Sequence, residues 1–280
     1  MTVAVVTDST ADLPADLVTE HGVRIVPLRI AIDGRTSVDG VDIGPDEVVE
    51  ALRAKRTVST SRPSPGDFVH AYRQALDAGA DHVVSIHLSA ELSGTWDSAR
   101  LAAQEFGYGV VRVVDSRSTS MALGFAVMAA ARAAAGGASA GEVQDAAVAA
   151  ADRTSCLFYV DTLEYLRRGG RIGAAAAMLG TALSVKPLLH VRDGRIVPLE
   201  KVRTSSRALA RLVALTVQAA GSDPVDIGVQ HLAAKARADE VAERLREQLP
   251  SVRQLITAEV SATVGAHTGP GVVGVAVARY

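Results

Sequence analysis

His82-Val83-Val84-Ser85-Ile86-His87-Leu88 runs directly into Ser89-Ala90-Glu91-Leu92-Ser93-Gly94-Thr95-Trp96-Asp97-Ser98-Ala99. The first run is apolar and β-rich, the middle is a turn of hydroxyl and glycine residues, and the last is alanine-rich and amphipathic. Strand, tight loop and helix start are expected in that order. Such a loop gathers hydroxyls and free backbone N–H groups at a helix N-terminus, whose positive end favours phosphate or carboxylate. Ser93, Gly94 and Thr95 would be the donors. The simpler reading is that Ser93 only caps the helix.

The same alternation extends to both sides. Strands are expected at Val3 to Thr7, Val23 to Ile32 and Val110 to Val114, and helices at Pro14 to Glu20, Pro45 to Lys55, Pro65 to Ala78, Gly94 to Phe106 and Thr119 to Ala135. Repeated βα units imply a mostly parallel sheet with ligands at its strand C-termini. Asp8-Ser9-Thr10, Ser89 to Thr95 and Asp115-Ser116-Arg117-Ser118-Thr119 each follow a strand, so three hydroxyl-rich loops should meet along one sheet edge.

Near residue 136 the rhythm changes. Gly136-Gly137-Ala138-Ser139-Ala140-Gly141-Glu142 interrupts two helices, the second running from Val143 to Arg153. Beyond it, Lys186 to Val191 and Arg195 to Val202 flank Arg192-Asp193-Gly194, an Asp-Gly hairpin signal. Val225 to Leu232, the helix Lys235 to Leu249, Val252 to Val260 and Val272 to Ala278 complete an α+β unit. The expected fold is α/β with two domains: residues 1–153 with a mostly parallel sheet and the ligand loops, and residues 154–280 with a mixed, partly antiparallel sheet. A cleft between them is the default ligand site.

Composition narrows the function. The chain has 280 residues, 48% of them hydrophobic, and a net charge of −2 with both signs interspersed, which does not suggest a nucleic-acid binder. One cysteine, Cys156, excludes an internal disulfide, and Cys156-Leu157-Phe158-Tyr159-Val160 reads as a buried strand. Met1-Thr2-Val3-Ala4-Val5-Val6-Thr7-Asp8 enters a strand at once, without a basic leader, so a cytoplasmic protein is expected. Met121 to Ala131 and Ile172 to Val185 are apolar but fall short of the roughly 20 residues that cross a bilayer, so they read as packed helices without stable membrane insertion.

Several motif matches fail on context. Gly269-Pro270-Gly271-Val272-Val273-Gly274 has dinucleotide-loop spacing, but it precedes a strand with no room for a βαβ unit. Gly137-Ala138-Ser139-Ala140-Gly141 has nucleophile-elbow spacing, yet no strand precedes it, and Ser139 with Glu142 reads as a capping box. There is no phosphate-loop spacing, and the seven histidines form no metal-ligand set, so no metal or cofactor is expected.

Three polar segments in apolar surroundings remain. Thr57-Val58-Ser59-Thr60-Ser61-Arg62-Pro63-Ser64-Pro65 reads as a hydroxyl-rich loop before a proline-started helix, with a plain N-cap as the alternative. His267 lies in the glycine-rich stretch Val264 to Gly271, where backbone can approach a ligand closely, although a lone loop histidine is more often inert. Leu166-Arg167-Arg168-Gly169-Gly170-Arg171-Ile172-Gly173 is a basic turn, either simply solvated or facing an anion or partner.

Seven collinear segments carry a family resemblance: Thr7 to Leu13, Thr60-Ser61-Arg62-Pro63-Ser64, Leu88 to Thr95, Val114-Asp115-Ser116, Leu163 to Ile172, Lys186-Pro187-Leu188-Leu189 and Gly265 to Gly271. Together they resemble the DegV family of bacterial fatty-acid-binding proteins. The resemblance implies a long-chain fatty acid held in a tunnel between two domains and presented to an ATP-dependent fatty acid kinase subunit, which phosphorylates the carboxylate. The binding protein itself would not be an enzyme. By motif, Thr60 and Ser61 fall in the family's threonine-serine loop, Ser93 meets the carboxylate, and His267 belongs to the headgroup network. Arg62 stands where the family usually has glutamine. Arg167, Arg168, Arg171 and Arg203 are the candidate contacts to the kinase.

The residue types suit that chemistry. A carboxylate shielded from water needs several donors, which hydroxyls, helix N–H groups and imidazole supply without a metal. Burying about fifteen methylenes at about 0.8 kcal/mol each gives roughly 10 kcal/mol before association costs. Two other readings use the same residues: an acyl hydrolase or transferase with Ser93 as nucleophile, His267 as base and Asp8 or Asp115 as orienting carboxylate, or a binder of another carboxylate or a phospholipid.

Overall fold

The computed structural model describes residues 1–178 and 185–280. In the first half the strands are Val3–Asp8 (β1), Arg24–Val26 (β2), Arg29–Ile32 (β3), Arg35–Val38 (β4), Val58–Ser61 (β5), His82–His87 (β6) and Val111–Asp115 (β7). The helices are Ala15–Glu20 (α1), Pro45–Arg53 (α2), Pro65–Asp77 (α3), Thr95–Ala103 (α4), Ser120–Ala135 (α5) and Ala140–Asp152 (α6). β2, β1, β6 and β7 form a parallel sheet in that order. β1 and β6 occupy its centre and are almost wholly buried, as strands covered on both faces must be.

In the second half, Thr154–Tyr159 (β8), Lys186–Arg192 (β9), Arg195–Val202 (β10), Val225–His231 (β11), Val252–Glu259 (β12) and Val273–Arg279 (β13) build one sheet in the order β10-β9-β8-β13-β11-β12. Every pairing in it is antiparallel except β11 with β12. Its helices are Glu164–Arg168 (α7), Ser205–Ala220 (α8), Lys235–Gln248 (α9) and Ala262–Thr268 (α10). The expected hairpin is present: Asp193 and Gly194 both have positive φ, 52° and 78°, as a tight two-residue turn demands.

Three local expectations change. The run Val23 to Ile32 is not one strand, because Pro27 has no N–H to continue a ladder, and the chain leaves the parallel sheet there. β3 then pairs with β4 and β5 in a separate antiparallel sheet, so the expected loop at Thr57 to Pro65 contains a strand, with Thr60 opposite Ile30. The glycine-rich stretch around His267 is largely helical, as α10, which Ser261 caps by accepting the Val264 N–H at 3.4 Å. α8 has no counterpart in the expected elements. The expected packed segment Ile172 to Val185 contains a 3-10 turn at Gly173–Met178, and the rest of it lies largely outside the described residues.

α5 joins the halves. It packs on β1 and β6 on one side and on β8, β11 and β13 on the other, so Met121 to Met128 are all buried, and the helix is apolar around its whole circumference. Close approach at Gly228 of β11 makes this possible, since a Cβ there would lie 2.7 Å from that of Met121. Asp12 ties the same seam. Its carboxylate accepts Ser120 Oγ at 2.6 Å, Gln230 Nε2 at 3.1 Å and the Ser261 N–H at 2.9 Å. Burial pushes this carboxyl up to about 7.

Candidate functional site

The C-terminal ends of β1, β6 and β7 lie side by side, so the three hydroxyl-rich loops do meet at one sheet edge. Ser89 is the hinge of that edge. Its N–H donates to the Ser118 carbonyl at 2.8 Å, and its hydroxyl donates to the Gly194 carbonyl at 2.8 Å, which docks the β9–β10 turn onto the loop. Only glycine fits at 194, because a Cβ would stand 2.4 Å from Ser89 Oγ. Two exposed pairs, Arg117 with Asp193 and Arg195 with Glu91, flank the contact.

Beneath this roof lies a cavity of about 80 Å³. Its polar lining brings together Thr10, Thr60, Ser61, Ser93, Arg171 and His267, drawn from both halves of the chain. Its apolar lining includes Leu28, Leu88, Leu92, Leu166, Ile196 and Val264. Thr119, Ile196, Val264 and Thr268 also line a second cavity of about 60 Å³, walled further by Cys156, Phe158, Val191, Val260, Val272 and Val275. Burial pushes the Cys156 thiol up to about 12, so it stands there as an inert, protonated wall.

Thr60 Oγ1 and His267 Nε2 are 2.7 Å apart. Burial, with the Arg171 charge nearby, pulls His267 down to about 4, so the imidazole is neutral at pH 7 and offers one donor and one acceptor nitrogen. Its buried Nδ1 has no hydrogen-bond partner. That edge of the ring rests against Gly169, where a Cβ would come within 2.1 Å of Nδ1. Thr263 Oγ1, also lining the cavity, is a second buried polar atom without a partner. Arg171 is fixed over the site by its bonds to the Leu92 carbonyl at 3.0 Å and the Gly169 carbonyl at 2.7 Å.

The other expected residues divide. Ser93 lines the cavity but does not simply cap the helix: its hydroxyl lies 2.9 Å from Thr95 Oγ1 and accepts the Thr95 N–H at 3.3 Å, while Gly94 is the N-cap. Thr95 is fully buried behind it, and neither Thr95 nor Gly94 lines the cavity. Arg62 reaches across Gly94 toward its carbonyl at 3.5 Å, so a guanidinium spans the loop. Of the four arginines, Arg171 faces the cavity. Arg168 pairs with Glu164 at 2.5 Å, and Arg167 and Arg203 are exposed.

The triad needed for acyl transfer is not assembled from the residues considered for it. Asp8 accepts from His87 at 2.9 Å and from Thr10 Oγ1 at 2.6 Å, and His87 continues to Ser85 and Tyr72 in the closed core. Asp115 is bonded to the Ala90 and Arg117 N–H groups. Ser139 is the helix cap its spacing suggests, exchanging bonds with Glu142. Sequence reasoning placed Thr10 in a ligand loop without singling it out, and missed Thr263 and the apolar wall from Cys156 to Val275, which carry no motif of their own.

Fold and cavity define a two-domain α/β protein built around a largely apolar site with one polar end. The chain belongs to the DegV family: the family model described as uncharacterised protein, DegV family, matches residues 2–279. A DegV domain-containing protein of Streptomyces coelicolor is 52% identical over 98% of each chain, and one of Mycobacterium tuberculosis is 44% identical over 99% of this chain and 97% of its own. Among solved structures, a fatty-acid-binding DegV family protein of Thermus thermophilus superposes over both whole chains with a TM-score of 0.95 and 35% identity. DegV of Bacillus subtilis, described as a fatty acid binding protein, does so with 0.89 and 31%. No helix among the described residues is long and apolar enough to cross a membrane.

Proposed function

We propose that this chain binds one long-chain fatty acid and, without turnover of its own, presents the carboxylate to an ATP-dependent fatty acid kinase subunit. The observation that carries this reading is the adjacency of the two cavities: four shared lining residues lie between a polar end at Thr60 and His267 and a wall of valines and Phe158. The solved relatives described as fatty acid binding support the ligand class.

In this reading the tail fills the apolar cavity between residues 1–153 and 154–280, and burial of its methylenes supplies the affinity. The carboxylate sits at Thr60, Ser61, Ser93 and His267, with the N–H groups around Gly94 and Thr95 adding to the local positive field. Thr60 has a rotatable hydroxyl and neutral His267 a proton on one ring nitrogen, so both stabilise the anion without neutralising it. A carboxylate oxygen therefore stays nucleophilic and can take the γ-phosphoryl group of the partner's ATP, releasing ADP. Arg167, Arg168, Arg171 and Arg203 supply positive charge around that end for the partner to meet. Dependence on ATP puts the reaction in the cytoplasm.

The test is mass spectrometry of whatever the recombinant protein carries, with Ser93→Ala beside it. A stoichiometric long-chain fatty acid in the wild type, depleted in the variant, is the expected result. An empty protein that also refuses added fatty acid would overturn the reading.

A further inference from the structure

The sheets end in unlike edges. β10, at one edge of the six-stranded sheet, carries Pro198, a register shift between Pro198 and Glu200, and the 3-10 turn Gly173–Met178 packed against it. β2, at an edge of the parallel sheet, has three residues and is followed by Pro27. Shortness, proline, irregular register and cover are the usual protections against strand pairing. Between Gln254 and Glu259, β12 has none of them. Its register with β11 is unbroken there, it contains no proline or lysine, and among the described residues it pairs with no other strand.

This free edge faces an open cleft. The Val260 N–H donates to the His231 carbonyl at 2.9 Å, and backbone groups alternate sides along a strand, so those of Thr257 and Glu259 point away from β11. Both residues line a cleft of about 600 Å³ whose opposite wall comes from the first half of the chain. Leu13, Pro14, Ile25, Pro27, Val41 and Pro45 make that wall apolar, and Ile25 and Val41 are 39% and 75% exposed. The charged lining is acidic throughout: Asp12, Asp39 and Glu259, with no lysine or arginine. Asp12 and Asp39 are bonded to hydroxyl, amide and backbone groups. Glu259 has His231 at 3.8 Å as its one basic neighbour among the described residues. None of the arginines around the polar end of the lipid cavity lines this cleft.

We propose that this cleft docks an extended segment of a partner protein, one that alternates basic and aliphatic side chains and adds to β12 as a further strand. Its main chain pairs with the free groups of Thr257 and Glu259, as strand addition to an open edge does. Its aliphatic side chains lie against Ile25 and Val41, and its lysines or arginines face Asp39 and Glu259, where no cation of this chain competes for them. A second copy of this chain is the other candidate strand, but its edge is backed by a whole sheet that would have to enter between β12 and the wall of Leu13 and Pro14.

The probe is a fluorescein-labelled peptide of alternating lysine and valine, titrated into the full chain and followed by anisotropy. Its glutamate-valine counterpart and a form N-methylated at every second residue are the controls. Thr257→Pro removes one edge N–H at a position where edge strands accept proline. Val41→Lys places a cation at the mouth of the cleft on an exposed side chain, so this variant stands should the first fold poorly. The lysine-valine peptide should bind the wild type at least tenfold more tightly than either control. Each variant should weaken it about tenfold, the upper scale of one hydrogen bond. No binding up to about 1 mM peptide, equal binding of either control, or no effect of either variant would overturn the docking site. Sedimentation as a dimer in the wild type and as a monomer in Thr257→Pro would give the edge to a second copy, and would overturn it as well.

Discussion

Thr60 on β5 and His267 on α10, separated by 207 positions in sequence, meet through a 2.7 Å hydrogen bond at the polar end of an apolar cavity. β5 belongs to the small antiparallel sheet and α10 to the second half of the chain, so the pair exists only because α10 packs against α2, β3 and β5. Thr60→Val keeps the shape and removes the hydroxyl. Fatty-acid affinity should fall about tenfold or more, the range for a hydrogen bond to a charged group, with His267→Gln giving a loss of similar size. Titration with a single fatty acid checks both, and unchanged affinity in Thr60→Val would remove this residue from the headgroup site.

Gly169 should tolerate no side chain. Its Cα supports the imidazole of His267, and an alanine methyl would start 2.1 Å from Nδ1. Gly169→Ala should cost about 1–3 kcal/mol of stability, as overpacking does, and should weaken fatty-acid binding by turning the ring. Urea unfolding and ligand titration on the same sample measure both effects. Wild-type values in both would mean that the ring has room to move.

Two buried groups should give opposite pH slopes. Asp12 is raised from 3.8 to about 7 by burial, so the native state holds its proton more tightly; the associated stability is full below pH 4 and is lost as pH rises through 7. His267 is lowered from 6.5 to about 4, so its contribution is full above pH 6.5 and is lost as pH falls through 4. Asp12→Asn should flatten the decline toward neutral pH, and His267→Gln the decline toward acid. Unfolding free energies between pH 4 and pH 8 decide it, and the readout is the slope rather than the level. An Asp12→Asn profile parallel to the wild type would show that Asp12 titrates alike in both states.

Val264 lines both cavities and so lies between them. Val264→Phe should obstruct the tail while leaving the polar end intact. Each methylene excluded costs about 0.8 kcal/mol, or about fourfold in affinity, so the preferred chain should shorten by several carbons. A series of fatty acids from C10 to C18 tests this, and an unchanged optimum would mean that the tail takes another path.

Much of the layout was legible in advance because its signals are local. The alternation around β6 and α4, the Asp-Gly turn and the Ser139 capping box each depend on a few adjacent residues, and the structure has them where the pattern expects them. The run Val23 to Ile32 misled because apolar periodicity alone does not reveal that Pro27 ends one ladder and lets the chain begin another. α10 escaped because three glycines within Val264 to Gly271 lower helix propensity, whereas packing against α2 and a serine cap supply what propensity lacks.

The chain by itself determined a parallel sheet with hydroxyl loops at one edge, a mixed sheet after it, and the residue types able to hold a carboxylate. Side-chain period and turn chemistry act over a few residues, and so they can be read from the order of amino acids. Only the tertiary structure decided that Thr60 meets His267, that Asp8 belongs to His87 instead, that Arg171 turns inward, and that valines from two strands, a helix and the loops beside them line one apolar space. Those relations depend on distant segments packing to common density around α5, and no local pattern encodes which distant partner a side chain will find.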